Sequence, residues 1–398
     1  MFAALRSRQF GARYRARSWC GSPAVGPRSA AAAESSSGLA RPMPWDALSG
    51  SDAVPGASPR ALMRRPVSIS PRAPATDPRR RARQERYLRG LLRILARWPL
   101  PVLHALGGMI GWCIAHTPNR QRRNALINIT LYRPHLATRD LIRLRNRSLA
   151  AFGRTYCEMG RLWLRPPAQA LGLIREVRGG ELLRRDDGRG LIVLSPHLGA
   201  WELAGLYLAA QGPTTIFYKP QRRLDELIVA ARRRSGARLA PTTARGVRAL
   251  VQGLVAGEYA GILPDQEPRA DTGAAFAPLC GLPAWTMVLV SRLARRSGAR
   301  VIFMFAERLP RARGYRIHCL PAPDGIASED DATAAAALNL GIERCIRVCP
   351  EQYLWPYRRF RRRPAGQAKV YGGSLRDYDA IEHARRLLRV SGRAADVG

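Results

Sequence analysis

His197 follows the aliphatic run Leu191-Ile-Val-Leu194 by three residues and precedes Glu202 by five. An imidazole removes a proton from a hydroxyl when a carboxylate holds its other ring nitrogen. On a continuous helix, five residues carry the chain about 140° past one full turn, so the two side chains would not share a face. With His197 in the turn before the helix, Glu202 can fold back toward the imidazole and orient it. Gly199, between them, would let backbone N–H groups approach a developing oxyanion. The chemistry predicted is base plus orienter, with no nucleophile from the protein. The plainer alternative is a histidine at a strand edge that caps a helix. Ser195 precedes Pro196, a poor place for a nucleophile, and no Gly-x-Ser-x-Gly elbow occurs.

The elements around this pair alternate in texture. Leu191–Leu194, 214–218, 259–263 and 301–305 read as strands, with further strand candidates at 315–320 and near Tyr353. Helical spacing marks 120–175, 200–210, 224–234, 247–255, 284–297 and 330–348. Short apolar runs alternating with helices predict an α/β fold, a mixed and mostly parallel sheet flanked by helices. In such sheets ligands gather at the carboxyl ends of the strands, where His197 would stand.

The chain has 398 residues and a formal net charge of +37, carried almost wholly by arginine, with lysine only at Lys219 and Lys369. This charge attracts polyanions: nucleic acid, an anionic membrane, an acidic carrier protein or a phosphorylated lipid. The seven cysteines are scattered, without a Cys-x-x-Cys pair, which predicts a reduced chain without structural zinc. Residues 1–85 are rich in Ala, Ser, Pro, Gly and Arg. They are expected to be a disordered extension or the product of a start assigned too far upstream, with Met63 as an alternative start; an organellar transit peptide has only composition behind it. Trp98 to Ala115 is almost wholly apolar between Arg93 and Arg97 on one side and Arg120, Arg122 and Arg123 on the other. Residues 88–118 are therefore expected to form a membrane-anchor helix, spanning or lying in the interface. Residues 119–364 form the expected catalytic domain and 365–398 a C-terminal tail.

His-x4-Glu after an apolar strand resembles the box of the lysophospholipid acyltransferase superfamily. More narrowly, residues 88–364 resemble the bacterial lipid A biosynthesis (late, or secondary) acyltransferases. The likeness runs through Gly111-Trp-Cys-Ile-Ala-His-Thr-Pro118, Arg122-Arg-Asn-Ala-Leu-Ile-Asn128, Glu158, Phe217-Tyr-Lys-Pro220, Gly246-Val-Arg-Ala-Leu250 and Ile262-Leu-Pro-Asp-Gln266. It continues in Phe276-Ala-Pro-Leu-Cys-Gly-Leu-Pro-Ala284, Pro350-Glu-Gln-Tyr-Leu-Trp355 and Arg358-Arg-Phe360. Two positions depart from the pattern: Pro196 stands where the superfamily often has Asn, and Tyr357 where the C-terminal signature usually has His.

The resemblance implies an O-acyltransferase that moves a fatty acyl group from acyl-carrier protein to the hydroxyl of a 3-hydroxyacyl chain on a lipid A precursor. His197 would be the base and Glu202 its partner. Asp265 would line the site, and an arginine of the run Arg232-Arg-Arg234, by spacing Arg234, would meet a carrier phosphopantetheine or a lipid phosphate, with Arg248 as a second candidate. Partners would be acyl-carrier protein, a phosphorylated lipid A precursor and inner-membrane lipid at the cytoplasmic face. No cofactor, metal or nucleic acid is expected; Asp265, Glu267 and Asp271 fall short of a calcium loop. The alternatives are an acyltransferase for a glycerolipid or aminolipid, a thioesterase or other hydrolase, and a non-enzymatic basic binder. The Phe-Pro-Glu-Gly-Thr motif of glycerolipid acyltransferases is absent.

Overall fold

The computed structural model describes residues 78–220, 225–268 and 273–391. The expectation for residues 1–77 lies outside them. Residues 78–85, assigned to the same extension, belong to a helix, α1 (Pro78–Arg97). Then come α2 (Leu100–His116), α3 (Arg120–Tyr132), α4 (Thr138–Leu164) and the short α5 (Pro167–Leu171). Beyond β1 (Ile174–Arg178), strands and helices alternate: β2 (Leu191–Leu194), α6 (Trp201–Gln211), β3 (Thr214–Tyr218), α7 (Asp225–Arg234), β4 (Arg238–Pro241), α8 (Ala244–Val255) and β5 (Tyr259–Ile262). A hairpin, β6 (Ala274–Leu279) and β7 (Leu282–Met287), precedes α9 (Leu289–Ser297), β8 (Arg300–Arg308), β9 (Tyr315–Pro321), α10 (Asp331–Val348) and α11 (Asp377–Val390).

The main sheet runs in the order β1-β9-β8-β2-β5-β3-β4. Only β8 and β9 pair antiparallel within it. The mixed, mostly parallel α/β architecture is thus as expected. All four residues of β2 are fully buried, the pattern of a central strand covered on both faces.

Four expectations change. The helix predicted over 284–297 begins only at Leu289. Leu282, Ala284 and Thr286 alternate with less buried neighbours along β7, a period of two that apolar composition hid. The two-residue turn Cys280-Gly281, both with positive φ, closes the hairpin. Tyr353 is no strand; it makes one isolated bridge to Leu198. The expected tail contains α11, whose Asp377 receives hydrogen bonds from Arg122 and Arg145.

The anchor region also differs. Pro99 and Pro101 break it, so α1 and α2 are separate helices. The 17 residues of α2 reach about 25 Å, short of a hydrocarbon core of about 30 Å. No single described helix is long and apolar enough to cross a membrane; α2 with α3 passes as a pair, bent by 86°. But α3 is a core helix, with Leu126, Ile127 and Ile129 fully buried. One face of α2 packs tightly on α4: a Cβ at Gly111 would lie 2.2 Å from the Leu149 carbonyl oxygen, so only glycine allows this approach. The other face leaves Val102, Met109 and Trp112 exposed, and α1 similarly exposes Tyr87, Leu91 and Ile94.

Candidate active site

Strand β2 ends at Leu194 and α6 begins at Trp201, so His197 lies in the turn between them, at the carboxyl edge of the sheet. Asp265, three residues past the end of the neighbouring strand β5, meets it there. His197 Nδ1 lies 2.7 Å from Asp265 Oδ1, and the His197 backbone N–H donates to Oδ2 at 2.9 Å. Both residues are buried. Burial alone would raise the Asp265 carboxyl, but the His197 imidazole and these two hydrogen bonds hold it below its usual range. A carboxylate on Nδ1 fixes the proton there and leaves the Nε2 lone pair available as a base. The Gln266 side-chain nitrogen sits 3.1 Å from Nε2, and the Trp201 ring lies 5.1 Å from the imidazole.

Glu202 does not orient the imidazole. It occupies the first turn of α6 and faces α7, where Arg232 donates to it at 2.8 Å and 3.3 Å. Arg232 in turn lies over the Tyr218 ring. Burial pushes the Glu202 carboxyl up, and the Arg232 charge and hydrogen bond pull it further down, to a net lowering. Thus Arg232, rather than Arg234, reaches this site. Arg234 donates to the Leu164 carbonyl on the exposed side of α7, and Arg248 is exposed on α8. Tyr357, in the place of the signature histidine, accepts a hydrogen bond from the Glu267 N–H at 2.9 Å. Glu267 itself is committed to Arg361 and the Arg362 N–H.

Nor does Gly199 offer an N–H to a substrate. Its N–H donates to the Gln352 carbonyl, and the Leu198 and Ala200 N–H groups donate to Pro196 and Ala306. Glycine is needed there for another reason. Its φ is +62°, and a Cβ would lie 2.0 Å from the Ala306 carbonyl oxygen. The loop is therefore pinned between β8 and residues 352–354; the Leu354 N–H also donates to the His197 carbonyl. Arg308, at the end of β8, adds a 2.9 Å hydrogen bond to the Gly199 carbonyl. Sequence reasoning held Arg232 only as a member of the run Arg232–Arg234, from which it took Arg234, and it missed Gln266, Arg308 and Gln352. Only Gln266, adjacent to Asp265, had a positional signal.

Alongside Glu202 and Arg232 lies a narrow recess of ≈ 40 Å³ between α6 and the sheet. Val193, Leu206, Leu208, Ile216, Ile262 and Met304 line its body, and Ser195 and Ser235 line it alongside the ion pair. The arrangement thus sets a carboxylate-held imidazole near a narrow apolar recess.

Comparison with known proteins gives one answer. The family model described as bacterial lipid A biosynthesis acyltransferase matches residues 80–362. The lipid A biosynthesis lauroyltransferase of Escherichia coli (strain K12) is 28% identical over 289 residues, which cover 71% of this chain and 92% of that protein. The palmitoleoyltransferase of the same strain is 29% identical over 285 residues, with the same coverage of each chain, 71% and 92%. Its myristoyltransferase is 25% identical over 276 residues, 68% of this chain and 83% of that protein. With a match across residues 80–362, this acyltransferase belongs to the bacterial lipid A biosynthesis acyltransferase family.

Proposed function

We propose that the enzyme acylates a lipid A precursor, moving a fatty acyl group from acyl-carrier protein to the hydroxyl of a 3-hydroxyacyl chain. The observation that carries this reading is the buried His197–Asp265 pair near an apolar cavity with a charged mouth. In the step proposed, the acceptor hydroxyl displaces the Gln266 amide from His197 Nε2. Its proton passes to Nε2 as its oxygen attacks the thioester carbonyl carbon. The carbon–sulfur bond then breaks, and the imidazolium returns the proton to the departing thiolate. Asp265 stays ionised throughout and stabilises the imidazolium. The Leu203 and Ala204 N–H groups donate to the Ala200 carbonyl, so the Trp201 and Glu202 N–H groups at the start of α6 are the donors nearest in sequence for the oxyanion.

The recess widens on binding to admit the acyl chain between α6 and the sheet, and its depth then selects chain length. The exposed Arg234 and Arg248 draw the acidic carrier. The uncovered apolar faces of α1 and α2, with exposed Arg86, Arg93 and Arg97 beside them, rest peripherally on anionic lipid at the cytoplasmic face of the bacterial inner membrane. The test is transfer from lauroyl-, myristoyl- and palmitoyl-carrier protein to a lipid A precursor by membranes containing the enzyme. Free fatty acid released at the same rate without acceptor would make it a hydrolase. Transfer only to a glycerolipid or aminolipid would reassign the acceptor.

The cavity makes its own prediction. Gly205 and Gly261 both line it, and a Cβ at Gly205 would approach nothing closer than Ile216 Cδ1 at 4.0 Å. Gly205→Leu sends its side chain into the recess from a position where the first added carbon meets no backbone, and it removes a glycine from a helix. Its preference for longer over shorter donors, measured as a ratio of kcat/KM values, is expected to fall by about tenfold or more. An unchanged ratio would place the acyl chain elsewhere.

A further inference from the structure

Helix α3 opens with Arg120, Arg122 and Arg123 and has no acidic residue in its first turn, the reverse of what the helix dipole favours. Arg122 has a counter-ion in Asp377, at 2.7 Å. Arg120 and Arg123 have no such carboxylate: Arg120 is exposed, and Arg123 gives one guanidinium nitrogen to the Gly373 carbonyl at 2.7 Å. Arg358 arrives at the same place from far along the chain. It is exposed and lies over the Tyr371 ring, 5.4 Å from the centroid. The three charges feel one another. Burial first, then Arg120 and Arg358, lower the Arg123 pKa.

The cluster is built rather than accidental. The Tyr371 hydroxyl that supports the Arg358 platform donates to Asn128 Oδ1 at 2.6 Å, and the Asn128 amide holds the carbonyls of Trp355 and Tyr357. The same stretch of chain donates from Leu354 to the His197 carbonyl. Three residues separate Leu354 from Arg358, four steps that span at most about 14 Å of extended chain. The cluster also lies just past the end of α2, whose outer face exposes Met109 and Trp112. It therefore sits between an apolar surface and the catalytic loop. Asp377 is taken by Arg122 and Arg145, and among the described residues no carboxylate pairs with Arg120, Arg123 or Arg358, an arrangement a bound anion relieves. Guanidinium groups match the oxygens of a phosphate in pairs.

We infer that Arg120, Arg123 and Arg358 bind a phosphate monoester of the acceptor lipid and so set which end of it faces His197. This rests on the reading of the acceptor as a phosphorylated lipid A precursor. The experiment measures equilibrium binding of that lipid, with its phosphates and after enzymatic dephosphorylation, to the full chain in detergent micelles. Arg358→Gln is expected to weaken binding of the phosphorylated lipid about tenfold and to leave the dephosphorylated lipid unaffected. Arg123→Gln should add to that loss, and Arg358→Lys should restore part of it. Equal affinities in wild type and variants, or equal losses on both lipids, would overturn the site. Co-sedimentation with phosphatidylcholine vesicles, with and without phosphatidylglycerol, separates the other phosphate source. If Arg358→Gln impairs only vesicle binding, bulk headgroups are the ligand and the acceptor site is overturned. Phosphate-selective binding without acyl transfer would sink the catalytic reading and keep this site; transfer with phosphate-blind binding would do the reverse.

Discussion

Asp265→Asn is expected to leave a folded enzyme whose kcat for acyl transfer has fallen by about 10³- to 10⁴-fold. The carboxylate accepts from both the ring and the backbone N–H of His197. An asparagine amide placed on Nδ1 donates instead of accepting, which drives the ring proton to Nε2 and removes the lone pair that takes the substrate proton. Glu202→Gln is expected to behave differently. Its partner is Arg232, with side chains 9% and 14% exposed for Glu202 and Arg232, so neutralising it leaves a largely buried guanidinium without its counter-charge. The cost falls on stability, up to about 3–5 kcal/mol for a buried pair, and on KM for the acyl donor, since both residues line the cavity. The kcat pH profile should not move. Steady-state kinetics across pH, with thermal melting of each variant, separate the two. A folded Asp265→Asn with near-normal kcat, alongside a dead Glu202→Gln, would return the orienting role to Glu202.

This reassignment shows what the sequence can carry. His197 was legible because an aliphatic strand, a turn and a helix start occur within ten residues, and local order places the histidine at a sheet edge. Its partner was not, because β2 and β5 are neighbours only in the folded sheet. The pairing Leu194 with Ile262 brings Asp265 beside His197 across 68 residues of chain. Nearness in sequence pointed to Glu202, and α6 turns that carboxylate toward α7. Gly199 shows a similar limit. A small residue beside a histidine suits an oxyanion site, yet the clash a Cβ would make with Ala306 is visible only once β8 is in place. The parallel sheet itself was readable from fully apolar runs such as Leu191–Leu194, while the β6–β7 hairpin, with Pro and Ala among its strand residues, carried no such signal. The apolar stretch from Trp98 to Ala115 reads by composition as a membrane-anchor helix. Its composition could not reveal that one face would be taken by α4.

The largest stability effect is expected at Glu158, a residue in the core of α4. Its carboxylate accepts from Arg308 Nε and Nη2, from the Tyr315 hydroxyl at 2.9 Å and from His104 Nε2 at 2.9 Å. The same Arg308 nitrogen reaches Thr155 and the Gly199 carbonyl. One buried ion pair therefore ties α2, α4, β8 and β9 to the loop that carries His197. Glu158→Gln or Arg308→Met alone strands the other charge and is expected to cost about 3–5 kcal/mol. The double variant Glu158→Leu/Arg308→Met should recover much of that stability, because no buried charge is left uncompensated. It should not recover kcat, since the Gly199 carbonyl has still lost its donor. Acid supplies a second readout. Burial pushes the Glu158 carboxyl up, but the Arg308 charge and the His104 hydrogen bond hold it below its usual range. A lowered folded pKa means stabilisation that is complete above the unfolded value, roughly 4.3 for Glu, and lost as pH falls through the folded one. The denaturant midpoint of the wild type should thus decline below about pH 4, and that of the double variant should decline less. Asp265 and Glu202, whose carboxyls are also held low, account for the decline that remains. Equal acid sensitivity in wild type and double variant would mean that Glu158 is not ionised in the folded protein, and the charged Arg308 would then be held by hydrogen bonds to a neutral carboxyl rather than by the ion pair that ties α2 to the His197 loop.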